Sequence, residues 1–182
     1  MEENRTMLEN TCNFSSVKPI MVDLPYPPIQ VRGKNQSYAN LLRVDYCGSV
    51  SEVSAIFQYI NNENRLSGAN CPMAKTLLGI AMAEMIHLQK IGELIVLLGG
   101  TVDFAVRQQN GRHAMWTPAY LTIPEQVRPM LLADIETERA AIKQYATHAN
   151  MIQDDCVNAV LARIIKDEEY HIMLLQALLQ DV

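Results

Sequence analysis

One pattern occurs twice in this chain and limits the folds open to it. Glu52-Val-Ser-Ala55-Ile56-Phe-Gln58-Tyr59 comes again 86 positions on as Glu138-Arg-Ala-Ala141-Ile142-Lys-Gln144-Tyr145, five of the eight residues being identical. Behind each copy stands a Glu-x-x-His: Glu84–His87, then Glu168–His171, 84 positions apart. Leu77 and Leu161, Ile80 and Ile164, Leu88 and Ile172, Ile91 and Leu175 keep that second spacing. A small difference between the two offsets is easily absorbed in a turn, so each half reads as one helical hairpin and the chain as a duplicated pair.

The helical reading rests on the period of the apolar residues. From Tyr38 to Arg65, Leu41, Asp45, Gly48, Glu52, Ala55, Ile56 and Tyr59 form a stripe at steps of three or four. Gly48 lowers helix stability there and permits either close packing or a bulge. Ser67-Gly68-Ala69-Asn70 makes a short turn, Pro72 opens a second helix, and Gly99-Gly100 closes it. Residues 101–123 have no steady period. A third helix runs from Pro124 or Pro129 to His148, and a fourth from Asp154 or Asp155 to Leu179. Short links make two antiparallel hairpins. A connection of about 25 residues reaches up to ~80 Å when extended, enough to run the length of a bundle. The expected fold is all-α: a four-helix bundle with one long crossover between the second and third helices. Its domain spans residues 37–182, preceded over 1–36 by an extended arm rich in proline (Leu24-Pro25-Tyr26-Pro27-Pro28) that lies over the surface or reaches a neighbour.

Composition narrows the function. The chain has 182 residues, 49% hydrophobic and only 19% charged, with net charge −5. Much of each helix must therefore be covered by another helix or another subunit, and a homo-oligomer is expected. No basic cluster tracks a phosphate backbone, which argues against nucleic acid. Glu84, His87, Lys90 and Glu93 interrupt the longest apolar run, which argues against a membrane span. The acidic start, Met1-Glu2-Glu3-Asn4-Arg5, is unlike a secretory signal. Cys12, Cys47, Cys71 and Cys156 form no Cys-x-x-Cys pair and are read as free thiols in a reducing cytoplasm.

The polar residues inside the stripes carry the chemistry. On a helix Glu84 and His87 lie about 60° apart in azimuth and roughly 4.5 Å along the axis, on the core side. Burying such groups is costly without compensation. Packing the hairpins together brings Glu52, Glu84 and His87 to face Glu138, Glu168 and His171. Four buried glutamates cannot all stay ionised without counter-charge, and Arg43, Lys90, Arg139, Lys143, Arg163 and Lys166 mostly fall off the stripes. Two divalent cations supply what is missing. A Glu from each of two helices plus Glu-x-x-His from the other two is the ligand set of di-iron and di-manganese carboxylate bundles. His113 and His148 are assigned to the surface, and the ten methionines to core filling.

With these six positions in this order, residues 38–180 resemble the ferritin-like superfamily of dimetal-carboxylate proteins. The symmetric ligand set is similar to that of bacterioferritins and rubrerythrins. Tyr26-Pro27, Tyr38-Ala-Asn-Leu-Leu-Arg and Tyr46-Cys-Gly48 resemble the manganese-catalase and spore-coat branch. The resemblance implies bridging roles for Glu84 and Glu168, terminal roles for Glu52 and Glu138, and one histidine on each metal. It implies also that an Asp before each Glu-x-x-His orients the opposite histidine; Asp167 fits, but Ala83 stands at the other position. The Cys-x-x-Cys electron-delivery domain of rubrerythrins has no counterpart here, and Ile135 and Ala141 flank Glu138 where rubrerythrins carry an extra glutamate. Tyr59 and Tyr145 return to the site face two turns after Glu52 and Glu138. Tyr59 is read as a catalytic neighbour, bonding a ligand carboxylate or taking part in redox, against the alternative of an aromatic core plug.

The oxygen and nitrogen donors favour two iron or two manganese ions, with zinc as a substitute. The expected reaction is with a small molecule, hydrogen peroxide or dioxygen, of peroxidase, catalase or oxidase type. The alternatives are an iron-storage protein and a spore-associated structural protein with a vestigial site.

Overall fold

The structure is a computed structural model that describes residues 12–107 and 112–182. Five α-helices account for most of it: α1 (Gln36–Cys47), α2 (Glu52–Leu66), α3 (Cys71–Leu97), α4 (Val127–Met151) and α5 (Asp155–Leu178). α1 and α2 together form the first arm of a four-helix bundle, since both pack against α3 and α4. α2 with α3, and α4 with α5, are the two hairpins, and residues 98–126 make the long crossover between them. The ferritin-like four-helix bundle expected from the sequence is present.

Local chemistry sets most of the boundaries. Asn70 caps α3 by accepting from the Met73 amide, and Pro72 sits in its first turn. At the other end Gly99 takes φ 87°, the Gly99 amide bonds the Val96 carbonyl and the Gly100 amide bonds that of Ile95. That is a Schellman closure, which needs a residue free of Cβ strain. Asp154 caps α5 through the amides of Cys156 and Val157.

The first arm departs from the expected single helix over Tyr38–Arg65: it breaks at Gly48–Ser51. A Cβ on Gly48 would meet the Val44 carbonyl oxygen at 2.6 Å, so only glycine fits the exit from α1. Ser51 then restarts the helix. Its hydroxyl accepts from the Ser54 amide, and the Ser51 and Ser54 hydroxyls both donate to the Gly48 carbonyl. The break makes Glu52 the first residue of α2, at the positive end of the helix dipole.

Within the crossover, β1 (Ala105–Arg107) and β2 (His113–Met115) form an antiparallel pair docked on α1. Buried Arg43 fastens it by donating to Asp103 and to the Ala105 carbonyl. Gly111 lies outside the described residues, as do the first eleven residues of the expected arm, with the start Met1–Arg5.

From residue 12 to 35 the arm carries neither helix nor strand, and it lies back on its own bundle. The Ile20 amide donates to the Gly79 carbonyl of α3, the Val22 amide and Tyr26 hydroxyl donate to Asp167 of α5, and the Arg32 amide to Asp154. Its first described residue, Cys12, is joined by a disulfide to Cys71 at the start of α3. The reading of four free thiols is therefore corrected: Cys47 and Cys156 are free, and Cys12 and Cys71 are paired. Sequence spacing missed the pair because 59 residues separate two cysteines that the fold brings to a Cα distance of 5.4 Å. With that pair present, the argument from free thiols to a reducing compartment loses its premise.

Candidate metal centre

Two apolar clusters fill the bundle, one around Leu42, Ile91, Leu94, Leu161 and Ile164, the other around Met73, Leu77, Ile80, Leu131 and Leu175. Between them the side chains turn polar. Glu52 of α2, Glu84 and His87 of α3, Glu138 of α4, and Glu168 and His171 of α5 converge there, none more than 2% exposed. All six residues expected from the repeat are brought together.

They form two overlapping sets. In one, Glu52, Glu84, His87 and Glu168 each offer a donor atom within 4.8 Å of the others; in the second, Glu84, Glu138, Glu168 and His171 do the same. Glu84 and Glu168 belong to both. His87 Nδ1 lies 2.9 Å from Glu84 Oε2, 3.3 Å from Glu168 Oε1 and 3.7 Å from Glu52 Oε2. His171 Nδ1 lies 3.0 Å from Glu168 Oε2, 3.1 Å from Glu84 Oε1 and 3.7 Å from Glu138 Oε1. The near-twofold relation in the sequence is thus a near-twofold relation in space.

The outer nitrogens are engaged elsewhere. His87 Nε2 is 3.2 Å from Asp167, and His171 Nε2 is 2.8 Å from the Ile20 carbonyl. Asp167 accepts also from the Val22 amide and from Tyr26, and it is ion-paired at 2.7 Å with Arg163, whose guanidinium covers the Tyr26 ring. Burial pushes Asp167 up, but His87, Arg163 and these hydrogen bonds outweigh it and hold its pKa at about 2. Arg163 is therefore buried, yet it serves Asp167 and the arm carbonyls of Val22 and Leu24. Among the described residues, the ion pairs of the four glutamates run only to His87 and His171.

Two tyrosines cross the site. Tyr59 donates to Glu138 and Tyr145 donates to Glu52, each from the helix paired with its acceptor's helix across the pseudo-twofold. Beyond them lies a second duplicated layer. Gln144 donates to Asp45 and to the Val50 carbonyl, and Asp45 pairs with His148 at 2.8 Å. Correspondingly, Gln58 donates to the Thr122 carbonyl, and Asn62 donates to both oxygens of Asp134. His148 is thus not on the surface; it is buried against Asp45, whereas His113 is exposed.

Electrostatics in this pocket is a contest between burial and proximity. Burial, followed by the charge of Glu84, pushes Glu52 well up; burial with the charges of Glu168 and Glu84 pushes Glu138 up to about 8. Burial acts on Glu84 too, but His87 and His171 overcome it and hold that carboxyl below its ordinary range. Burial would lower both histidines, and the surrounding carboxylates raise them well above normal instead. Four acids and two imidazoles leave negative charge uncompensated, so protons are retained on glutamates where cations would satisfy them.

Three buried polar atoms make no hydrogen bond in the second set: Glu84 Oε1, Glu168 Oε2 and His171 Nδ1. Glu84 Oε1 and Glu168 Oε2 lie 3.1 and 3.0 Å from His171 Nδ1. Orphaned oxygen and nitrogen donors of this kind fit a metal ion, and their carboxylate–imidazole chemistry fits iron, manganese or zinc. A narrow cavity lined by Val50, Ser51, Thr137 and Ala141 reaches Glu52, Glu84, Glu138 and Glu168 from between α2 and α4. It shares Val50 and Thr137 with an open cleft of about 440 Å³ under Tyr120–Thr122.

The repeat located the six convergent residues. It did not locate Ile20, because a backbone carbonyl leaves no mark in a sequence. Asp45 was masked for a different reason: the Gly48–Ser51 break shifts the repeat, so that Asp134 aligns with Gly48 while Asp45 fills the equivalent place in space.

Comparison with known proteins agrees with this fold. The rubrerythrin family model matches residues 49–179. A probable manganese catalase of Clostridium acetobutylicum is 24% identical over 171 residues, covering 85% of this chain and 75% of that one. Among solved structures, a manganese catalase from Anabaena superposes with TM-score 0.78 at 22% identity, covering 87% of this chain and 78% of its own. The bacterioferritin of Rhodobacter capsulatus, solved with a metal-free dinuclear site and a heme iron, gives TM-score 0.68 at 24% identity, over 81% and 86% of the two chains.

Proposed function

Because the chain belongs to the rubrerythrin family, we propose that it is a dinuclear iron or manganese protein that reacts with hydrogen peroxide or dioxygen. The observation that carries this reading is the pair of four-residue sets sharing Glu84 and Glu168, each with a buried imidazole nitrogen turned inward. Glu84 and Glu168 would touch both ions, Glu52 and His87 one, Glu138 and His171 the other. When bound, two such ions supply a paired change of oxidation state matched to the two electrons of an O–O bond.

The chain's own residues provide the setting. Tyr59 and Tyr145 hold Glu138 and Glu52 by donating to Oε1 of each carboxylate. Tyr59, expected as a catalytic neighbour, acts in this reading on Glu138 first. Asp167 and the Ile20 carbonyl accept from the outer edges of the histidines, so that Nδ1 of each faces inward. The apolar clusters exclude bulk water. The narrow passage past Val50 and Thr137 suits a diatomic or triatomic molecule or peroxide, and not a bulky substrate.

Peroxide dismutation is supported over reductant-driven peroxidase chemistry by the likeness to two proteins named as manganese catalases. We propose also that chains self-associate, since Met85, Val96 and Leu97 leave an apolar strip exposed on α3. No described helix is long and apolar enough to cross a membrane.

The test is metal analysis of protein from its native source, with peroxide consumption measured in the presence and absence of a reductant. Two iron or manganese ions per chain and oxygen release without reductant are expected. Replacing Glu84 and Glu168 with alanine should abolish two-ion occupancy and leave the helical circular dichroism intact; two ions retained in that double variant would refute the ligand assignment. Light scattering separates a small oligomer from the closed cage that iron storage requires.

A further inference from the structure

The two half-sites differ in one respect that the duplication does not explain. His87 is oriented by Asp167, the residue before Glu168. The equivalent residue for His171 is Ala83, a buried methyl group with nothing to accept a hydrogen bond. His171 Nε2 nevertheless has an acceptor at 2.8 Å, the carbonyl of Ile20, which comes from the arm 151 residues earlier in the chain.

We infer that the Ile20 carbonyl is the positioning group for His171, seated there by Gly79, and that the arm is a working part of the metal centre. The inference rests on the dinuclear reading above. Its chemistry is specific. A carbonyl oxygen only accepts, so His171 must keep a proton on Nε2, which leaves Nδ1 as the nitrogen that can ligate. That Nδ1 is the buried atom without a hydrogen-bond partner, 3.0 and 3.1 Å from the two equally orphaned oxygens of Glu168 and Glu84. The arm thus engages Nε2 and reserves Nδ1 for the ligand role.

Gly79 makes the seat possible. Its carbonyl accepts the Ile20 amide at 2.9 Å, and a Cβ at position 79 would lie 2.6 Å from Ile20 Cγ1 and Cδ1 and 3.1 Å from the Lys18 carbonyl oxygen. A side chain there must displace the Ile20 side chain, and a branched one such as valine also crowds the Lys18 carbonyl and the arm. Two residues further along, the Val22 amide bonds Asp167 and so reaches His87 indirectly. The His171 half-site takes a neutral acceptor and the His87 half-site a carboxylate, so the two metal positions are inequivalent by construction. Outer partners of this kind change metal affinity about 10–100-fold.

Manganese titration of the full-length metal-free protein, followed by calorimetry, tests this. Wild type should bind two ions, and Gly79→Val should weaken one of the two at least tenfold. Adding Ala83→Asp to that variant supplies the missing acceptor from α3 and should restore the second ion, which a general loss of packing would not allow. Unchanged affinities in Gly79→Val, or no recovery in the double variant, would overturn the proposal. A readout independent of metal is nitrogen–proton correlation NMR of the imidazoles in metal-free wild type. His171 should show an Nε2–H proton held by the carbonyl, in the imidazolium as in the neutral ring, and a ring protonated on Nδ1 alone would overturn the inference even if Gly79→Val fails to fold. If wild type binds no manganese or iron at all, the dinuclear reading fails, and the NMR result still decides whether the arm holds the Nε2 proton of His171.

Discussion

Glu84 and Glu168 each lie within about hydrogen-bonding distance of both imidazoles, and that sharing makes one centre of two half-sites. One turn outward, the same duplication places Asp45 against His148 and Asp134 against Asn62. The partners differ, and with them the electrostatics. Asp134 has only an amide to offset burial, and desolvation raises its pKa to about 7. An unfolded aspartate titrates near ~3.9. The sign follows: below about pH 4 both states are protonated and no cost arises. As pH rises the unfolded state ionises first, so folding loses stability until the folded pKa is passed. Asp134→Asn keeps an acceptor for Asn62 and removes that cost, with an expected gain of roughly 2–4 kcal/mol at pH 8 and little at pH 4. Urea denaturation of both proteins at the two pH values checks it, and a gain confined to acid would contradict the account.

At the scale of elements, the break between α1 and α2 decides where Glu52 stands. Four residues, Gly48 to Ser51, stand between the two helices, so that Glu52 opens α2 where a continuous helix would have placed it mid-helix. Gly48 enforces the break, since a Cβ there meets backbone rather than a movable side chain. Gly48→Ala should cost about 1–3 kcal/mol in thermal denaturation. It should also weaken metal binding on the Glu52–His87 side, read as a drop in bound manganese. Full stability with full occupancy would show that the break follows from packing and not from Gly48. The stripe of apolar residues foresaw the helices on either side but not the interruption, because Leu41, Asp45, Glu52 and Ala55 keep a helical period straight through it.

For the molecule as a whole, the disulfide between Cys12 and Cys71 ties the arm to the start of α3, eight residues before Gly79 and Ile20 meet. Denaturing thiol titration should find two free thiols, Cys47 and Cys156, in the isolated protein and four after reduction. Cys12→Ser should lower stability by about 2–4 kcal/mol, the usual effect of opening a long cross-linked loop. Four thiols without reductant would contradict the pairing.

Periodicity and duplication were enough to determine a bundle of two hairpins, its long crossover and the six inward Glu and His positions. Each of those follows from side-chain type at helical spacing, which is a local property of the chain. What the tertiary structure alone decided was every feature made by backbone or by distant pairing. The Ile20 carbonyl beside His171, the Cys12–Cys71 bridge, the burial of Arg163 and His148, and the tyrosines crossed onto Glu52 and Glu138 are of this kind. A carbonyl is present at every residue, and only the path of the arm past Gly79 selects which one meets the histidine.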